Sequence, residues 1–225
     1  MFNTRYKFTA FMRIDEMRLL CHVSTCFVLF GEFISLEPHE NEHFFTAQMN
    51  NTDSNTAHDY LGFMDTSFLA SYAIFMFVSG FVAERVNLRY FLAVGMLLSG
   101  LFTILFGLGK YMGIHSIYYY LAMQFLGGAV QSSGWPGVVT VVANWFGKGK
   151  KGFVFGVWNA HTSIGNIVGG LLAGTFVDSD WALSFIVPGL IISAMGVVVW
   201  FILPVQPSDM GFTQEELIPN EVSHL

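Results

Sequence analysis

Between Tyr111 and Gly147 the chain has no Asp, Glu, Lys or Arg, and the run then stops against Lys148, Lys150 and Lys151. About 20 such residues, rising roughly 1.5 Å each in a helix, already cross a hydrocarbon core ~30 Å thick. Lipid offers no hydrogen bonds, so the backbone must satisfy itself and the run is predicted to be helical. Gly134-Trp135-Pro136 in its middle is the exception that needs a reason. Proline removes an N–H, glycine admits a neighbouring helix, and an indole sits beside the loosened ladder. Such a place suits a pathway through the membrane.

Composition agrees with a membrane chain. Apolar residues make up 53% and charged ones 12%, against roughly 45–50% and 25% in soluble domains. Six spans with short loops would use nearly all 225 residues, which leaves no room for a sizeable soluble domain. The net charge of -6 argues against nucleic acid as a partner. Cys21 and Cys26, five apart in or beside an apolar segment, read as inert helix residues rather than a disulfide or metal pair. No cofactor is expected.

In chain order, residues 1–18 form a basic flank with Arg5, Lys7, Arg13 and Arg18. Residues 19–36 read as a weak first span; a signal peptide is the alternative, although no clear cleavage site follows. Residues 37–64 are a polar, acidic loop whose Asn50-Asn51-Thr52 is a glycosylation sequon at Asn50. Five transmembrane helices are expected within 65–204: Thr66–Ala83, Tyr90–Gly109, the central run, Gly152–Val177 and Trp181–Pro204. A polar tail, 205–225, ends the chain. If the first span crosses, every basic residue but Lys110 lies on one face, which the positive-inside rule makes cytoplasmic. Without that crossing the split is even. The asymmetry predicts six spans with both termini cytosolic and Asn50 in a lumen.

Three clusters carry a resemblance: Gln131-Ser132-Ser133-Gly134-Trp135-Pro136, then Asn144-Trp145-Phe146-Gly147-Lys148-Gly149-Lys150, then Trp158-Asn159-Ala160-His161-Thr162-Ser163-Ile164-Gly165-Asn166. In this order they resemble the fourth and fifth helices of the sugar-phosphate exchangers of solute carrier family 37. Those are organophosphate:phosphate antiporters within the major facilitator superfamily. The resemblance implies an all-α, six-helix bundle equivalent to the N-terminal half of such a transporter. It also implies exchange of a phosphorylated sugar for inorganic phosphate, with glucose 6-phosphate as the model substrate, in the endoplasmic reticulum membrane.

Several residues are candidates for that work. His161 is the one titratable group deep in a convincing span, able to donate to a phosphate oxygen or to add charge when protonated. The alternative is a core histidine bonded to a neighbouring helix. Trp158 lies one turn before it on the same helical face. The resemblance implies that His161, Trp158 and Trp135 line a substrate cavity, with Tyr72 and Gln131 on the same wall. Tryptophans at a membrane interface are the alternative reading of the indoles. Gly80-Phe81-Val82-Ala83-Glu84-Arg85 with Arg89 resembles the superfamily's loop between helices two and three. Glu84, Arg85 and Arg89 could pair across a bundle in one state and part in the other, as a gate latch, or could simply mark the cytoplasmic side. Gly165, Gly169, Gly174, Gly127 and Gly128 suit close helix contact.

Other features are assigned blander roles. Asp65 is expected to be an N-cap rather than a gate or proton site. His39-Glu40-Asn41-Glu42-His43 matches a zinc-hydrolase pattern but sits in a short loop with no domain around it, so neither metal nor enzymatic chemistry is expected. Ser223-His224-Leu225 only faintly resembles a peroxisomal address.

The sequence also departs from the family. No Lys or Arg occurs between Arg18 and Arg85, and Met76 stands where bacterial relatives carry a lysine. Transporters of this type hold substrate between two six-helix halves, and this chain matches one. The expectation is therefore a half that does not transport alone. The alternative is a non-transporting membrane interaction protein, or a half-transporter that pairs with its own copy or with a full-length relative.

Overall fold

A computed structural model describes residues 54–145 and 180–203, with short pieces between them at 156, 167–169, 171 and 174–176, and Val205. Five helices are defined in it: α1 (Ser54–Ala83), α2 (Leu88–Tyr111), α3 (Ile117–Gln131), α4 (Gly134–Trp145) and α5 (Trp181–Ile202). Three helices are long and apolar enough to cross a membrane, over Asp59–Ala83, Leu88–Tyr111 and Trp181–Ile202. They overlap the apolar runs Thr66–Ala83, Tyr90–Gly109 and Trp181–Pro204. The first span, Asn50, most of the Gly152–Val177 span including Trp158 and His161, and the tail beyond Val205 lie outside the described residues.

Local chemistry fixes the helix ends. Asn87 caps α2 by accepting the Arg89 N–H at 3.1 Å, satisfying one of the four N–H groups that a helix start leaves open. At the other end Gly113 takes φ 64°, a left-handed conformation that costs glycine little. Its N–H then reaches Lys110 O, and the Ile114 N–H reaches Gly109 O, the paired bonds of a Schellman stop. Asp180 caps α5 in the same manner as Asn87, through the Ala182 N–H. The last residue before Pro204, Leu203, is already extended at ψ 112°, as a following proline requires.

Two expectations change. The segment expected to be loop over 37–64 is helical from Ser54 onward. Asp65 therefore lies about three turns inside α1, where the N–H groups ahead of it belong to the helix ladder, and it cannot be an N-cap. It is a half-buried carboxyl within a crossing segment. The central run is not one uninterrupted helix either: it divides into α3 and α4 at Ser132-Ser133.

Helix α2 is the spine, packed most extensively against α5 and also against α3 and α4, while α1 packs against α3. Backbone-close contact makes the α2–α5 pairing possible. A Cβ added to Gly100 would lie 2.6 Å from Gly189 O, and one added to Gly107 would lie 2.7 Å from Ala182 O. Between α1 and α3, a Cβ on Gly128 would collide with Phe68 O and Ser71 Oγ. Among the described residues nothing lies within 4 Å of a Cβ added at Gly174. Two apolar clusters result. The larger joins Leu92, Met96, Val138, Ile192 and Val199, and the other joins Met64, Phe106, Tyr120 and Trp181.

Gly100→Leu should overpack the α2–α5 seam, costing about 1–3 kcal/mol, whereas Gly80→Ala, which meets nothing within 4 Å, should be neutral or slightly stabilising. Thermal unfolding in detergent measures both, and equal melting temperatures would contradict the seam.

Candidate functional site

The break between α3 and α4 follows from one missing donor. Pro136 has no N–H, so the carbonyl four residues back, on Ser132, loses its helical partner. The structure supplies another from a different helix: Ser79 Oγ on α1 donates to Ser132 O at 3.0 Å, in a buried setting. The single hydroxyl hydrogen is shared with Met76 O, also at 3.0 Å. An unmet buried carbonyl costs roughly 1–3 kcal/mol, so this serine fastens α1 to the weakest point of the adjoining helix. Just before the break the Ser133 N–H reaches back only to Val130 O, a tighter turn than the α-helical one.

Two of the residues singled out from sequence, Trp135 and Gln131, flank the break, and a third, Tyr72, lies on α1. Trp135, second in α4, is 43% exposed, so its indole faces away from the packed interior. Gln131, last in α3, is 5% exposed, and its Oε1 accepts Ser99 Oγ of α2 at 2.7 Å. The structure thus places Gln131 in the α2–α3 seam, where it ties helices together. Tyr72 is half-buried on α1 and stacks on Phe68, with ring centroids 6.3 Å apart. It shares a face of α1 with Asp65, two turns earlier, and with Ser79, two turns later. Sequence reading missed both Ser79 and the half-buried face that Asp65 shares with Tyr72. The signal for Ser79 was present in Pro136, but a helix break does not announce which distant hydroxyl repairs it.

The gate candidates are separated here. The Arg85 guanidinium lies over the exposed Phe81 ring, 3.7 Å from its centroid. Arg89 Nε donates to Leu203 O at the end of α5, at 2.5 Å, a cation on a helix C-terminus where it is favoured. Glu84 is exposed. Among the described residues neither arginine pairs with a carboxylate.

At the opposite end of the bundle is a cluster that sequence reading treated only as topology. Lys110 Nζ meets Asp180 Oδ1 at 2.6 Å, and Tyr111 donates its hydroxyl to Asp180 Oδ2 at 2.7 Å. Partial burial would raise the Asp180 pKa. Hydrogen bonds from Lys110, Tyr111 and the Ala182 N–H, together with the Lys110 charge, outweigh it and hold the carboxyl below its ordinary 3.8. Asp180 therefore clamps α5 to α2 while it caps α5. Among the described residues no group of His, Cys, Asp and Glu could hold a metal ion.

The comparisons place this geometry among known proteins. The family model described as Major Facilitator Superfamily matches residues 23–223. The glucose-6-phosphate exchanger SLC37A2 of Danio rerio is 53% identical over 178 residues, covering 74% of this chain and 36% of that protein. Human SLC37A2 is 54% identical over 158 residues, 70% of this chain and 32% of that protein. The human glucose-6-phosphate exchanger SLC37A1 is 51% identical over 70% of this chain and 30% of its own length. The chain thus spans about a third of the curated relatives it matches. Among solved structures, the proton:xylose symporter XylE bound to 6-bromo-6-deoxy-D-glucose shares the fold. Its TM-score is 0.62 at 14% identity, over 84% of this chain and 44% of XylE.

Two outcomes are expected. Ser79→Ala should lower the melting temperature in the parent chain by the equivalent of roughly 1–3 kcal/mol, but far less in a Pro136→Ala background, where the helix bonds its own carbonyl. A double-mutant cycle reads the difference, and additive effects would dissolve the proposed link. For Asp180, a depressed pKa means stabilisation that is present above the unfolded value and lost as pH falls through the folded one. Melting temperature should therefore drop as pH goes below about 4, and Asp180→Asn, which keeps the cap but not the charge, should flatten that drop.

Proposed function

This chain belongs to the major facilitator superfamily, and on that premise we propose that it forms one half of an exchanger of phosphorylated sugar for inorganic phosphate. The observation that carries the proposal is the 51–54% identity, over most of this chain, to proteins named glucose-6-phosphate exchangers. The substrate is a sugar phosphate of the glucose 6-phosphate type. The mechanism is rocking of one bundle against a second around a site near the membrane midplane. On this side the wall consists of Trp135 at the helix break, Tyr72 on α1, and Trp158 and His161, which lie outside the described residues.

Charge defines what this half can and cannot supply. Arg89 and Lys110 stand at the ends of α2, engaged with Leu203 O and Asp180. Between those two ends, and in the other two described spans, there is no Lys or Arg. A dianionic phosphate taken from water without a fixed positive partner is strongly disfavoured. His161, indole N–H groups and amides therefore orient the sugar phosphate, and the second half or the residues before α1 provide the fixed positive charge. Arg85, Arg89 and Glu84 gate the cytoplasmic end, with Arg89 holding α5 in the state seen here. The protein resides in the endoplasmic reticulum membrane with both termini cytosolic and Asn50 luminal.

In liposomes loaded with labelled phosphate, the purified 225-residue chain should give no exchange against external glucose 6-phosphate above empty vesicles. Robust exchange by the chain alone would overturn the half-site reading. A cross-linked dimer with exchange restored at high protein density would instead identify a second copy as the missing half. In any exchanging assembly, Trp135→Ala should raise the KM for glucose 6-phosphate several-fold.

A further inference from the structure

A groove of about 560 Å³ opens between α1 and α2, next to the turn that joins them. That volume lies within the roughly 300–1,000 Å³ typical of ligand pockets. Its walls are almost wholly hydrocarbon: Phe75, Val78 and Val82 from α1, and Tyr90, Val94 and Leu98 from α2. Ser132 and Ser133 of the helix break close its inner end, and the polar atoms there are already used, since Ser79 Oγ bonds Ser132 O and Ser133 Oγ bonds Val130 O. Val78 is 53% exposed and Val94 41% exposed, so the groove faces outward from helices that cross a bilayer. A sugar phosphate would find no partner on these walls. A hydrocarbon chain would.

The mouth of the groove is different in character. Val82 and Val86 line it on either side of Arg85 in sequence, and the Arg85 guanidinium is exposed and held over Phe81. Asn87 also lines it, with Oδ1 occupied in capping α2 and its amide N–H groups left as donors. Glu84 alone opposes the two arginines of this turn, so the rim is net positive. Apolar depth with a cationic, donor-bearing mouth at a membrane surface matches one kind of molecule.

We propose that this groove holds an acyl chain of an anionic glycerophospholipid, with the phosphodiester against Arg85 and the Asn87 amide. In the proposed orientation this mouth faces the cytoplasm, whose leaflet carries the anionic lipids. The lipid would lie across α1 and α2 and against the α3–α4 break, where it would resist any closing of the gap between those helices. It needs no part of the substrate wall.

Native mass spectrometry of the full chain in detergent, titrated with dioleoylphosphatidylserine, tests the assignment. One tightly retained lipid per chain is expected, with phosphatidylcholine bound more weakly and glycerophosphoserine, which lacks acyl chains, unable to displace it. Arg85→Gln should weaken binding about fivefold, the weight of one cation near a membrane surface. Val94→Trp should remove the bound lipid by filling the groove, and Val78→Trp does the same from the other wall, so one plug that fails to fold leaves the other. Phe77→Trp, exposed on α1 outside the groove, should change nothing. Equal retention of the two lipids, an Arg85→Gln variant that binds like the parent, or a monodisperse plugged variant that keeps its lipid would each overturn the proposal.

Discussion

Everything in the described bundle depends on how closely α2 can approach α5. In lipid there is no gain from hiding one apolar helix against another, because the acyl chains are as apolar as the side chains. Association must come from contact and from polar ties that the bilayer cannot replace. Gly100 and Gly107 let the backbones meet at Gly189 O and Ala182 O, and the ties sit at both ends: Arg89 on Leu203 O and Lys110 on Asp180. The pair is therefore held at three heights, by a cation on a carbonyl, by bare backbone and by an ion pair. With α2 fixed, Ser99 reaches Gln131 and α3 takes its place against the same spine.

The second constraint is the discontinuity at Ser132-Ser133. A proline in the early part of α4 leaves a carbonyl that hydrocarbon cannot satisfy, and the bundle answers with a hydroxyl from α1. One bond thereby joins a mobile kind of element, a broken helix, to the helix that carries Tyr72 and Asp65. Trp135 is exposed because it follows the break, where the chain turns its side chain outward before α4 resumes packing through Val138 and Val141. A transporter needs such places, where helices are close but not locked along their whole length. The groove between α1 and α2 is the counterpart of this arrangement: those helices, consecutive in the chain, leave space between them while each packs on other partners.

Much of this was legible in the residues. The apolar runs set the crossings, and Lys110 follows directly where one of them, Tyr90–Gly109, stops. The three motifs around Trp135, Trp145 and Trp158 indicated the superfamily that the family match then showed. Asp65 was misread because α1 begins upstream of its apolar part, in Ser54–His58, where nothing in the hydropathy distinguishes a helical extension from a loop. The burial of Gln131 against Ser99 follows from the rotation of α3 about its axis, which no motif encodes.

The sequence by itself determined that the chain lives in a bilayer, which family it joins, and that Gly134-Trp135-Pro136 is the weak point of the central run. These are local matters: hydrocarbon length, motif residues, a missing N–H. The tertiary structure decided which partner repairs that break, which glycines make contact, and that Arg85 and Arg89, one and five residues from Glu84, are held apart from it. Such choices depend on groups 53 to 114 residues apart in sequence that meet only once helix rotation and depth are set. No local rule of spacing can supply that.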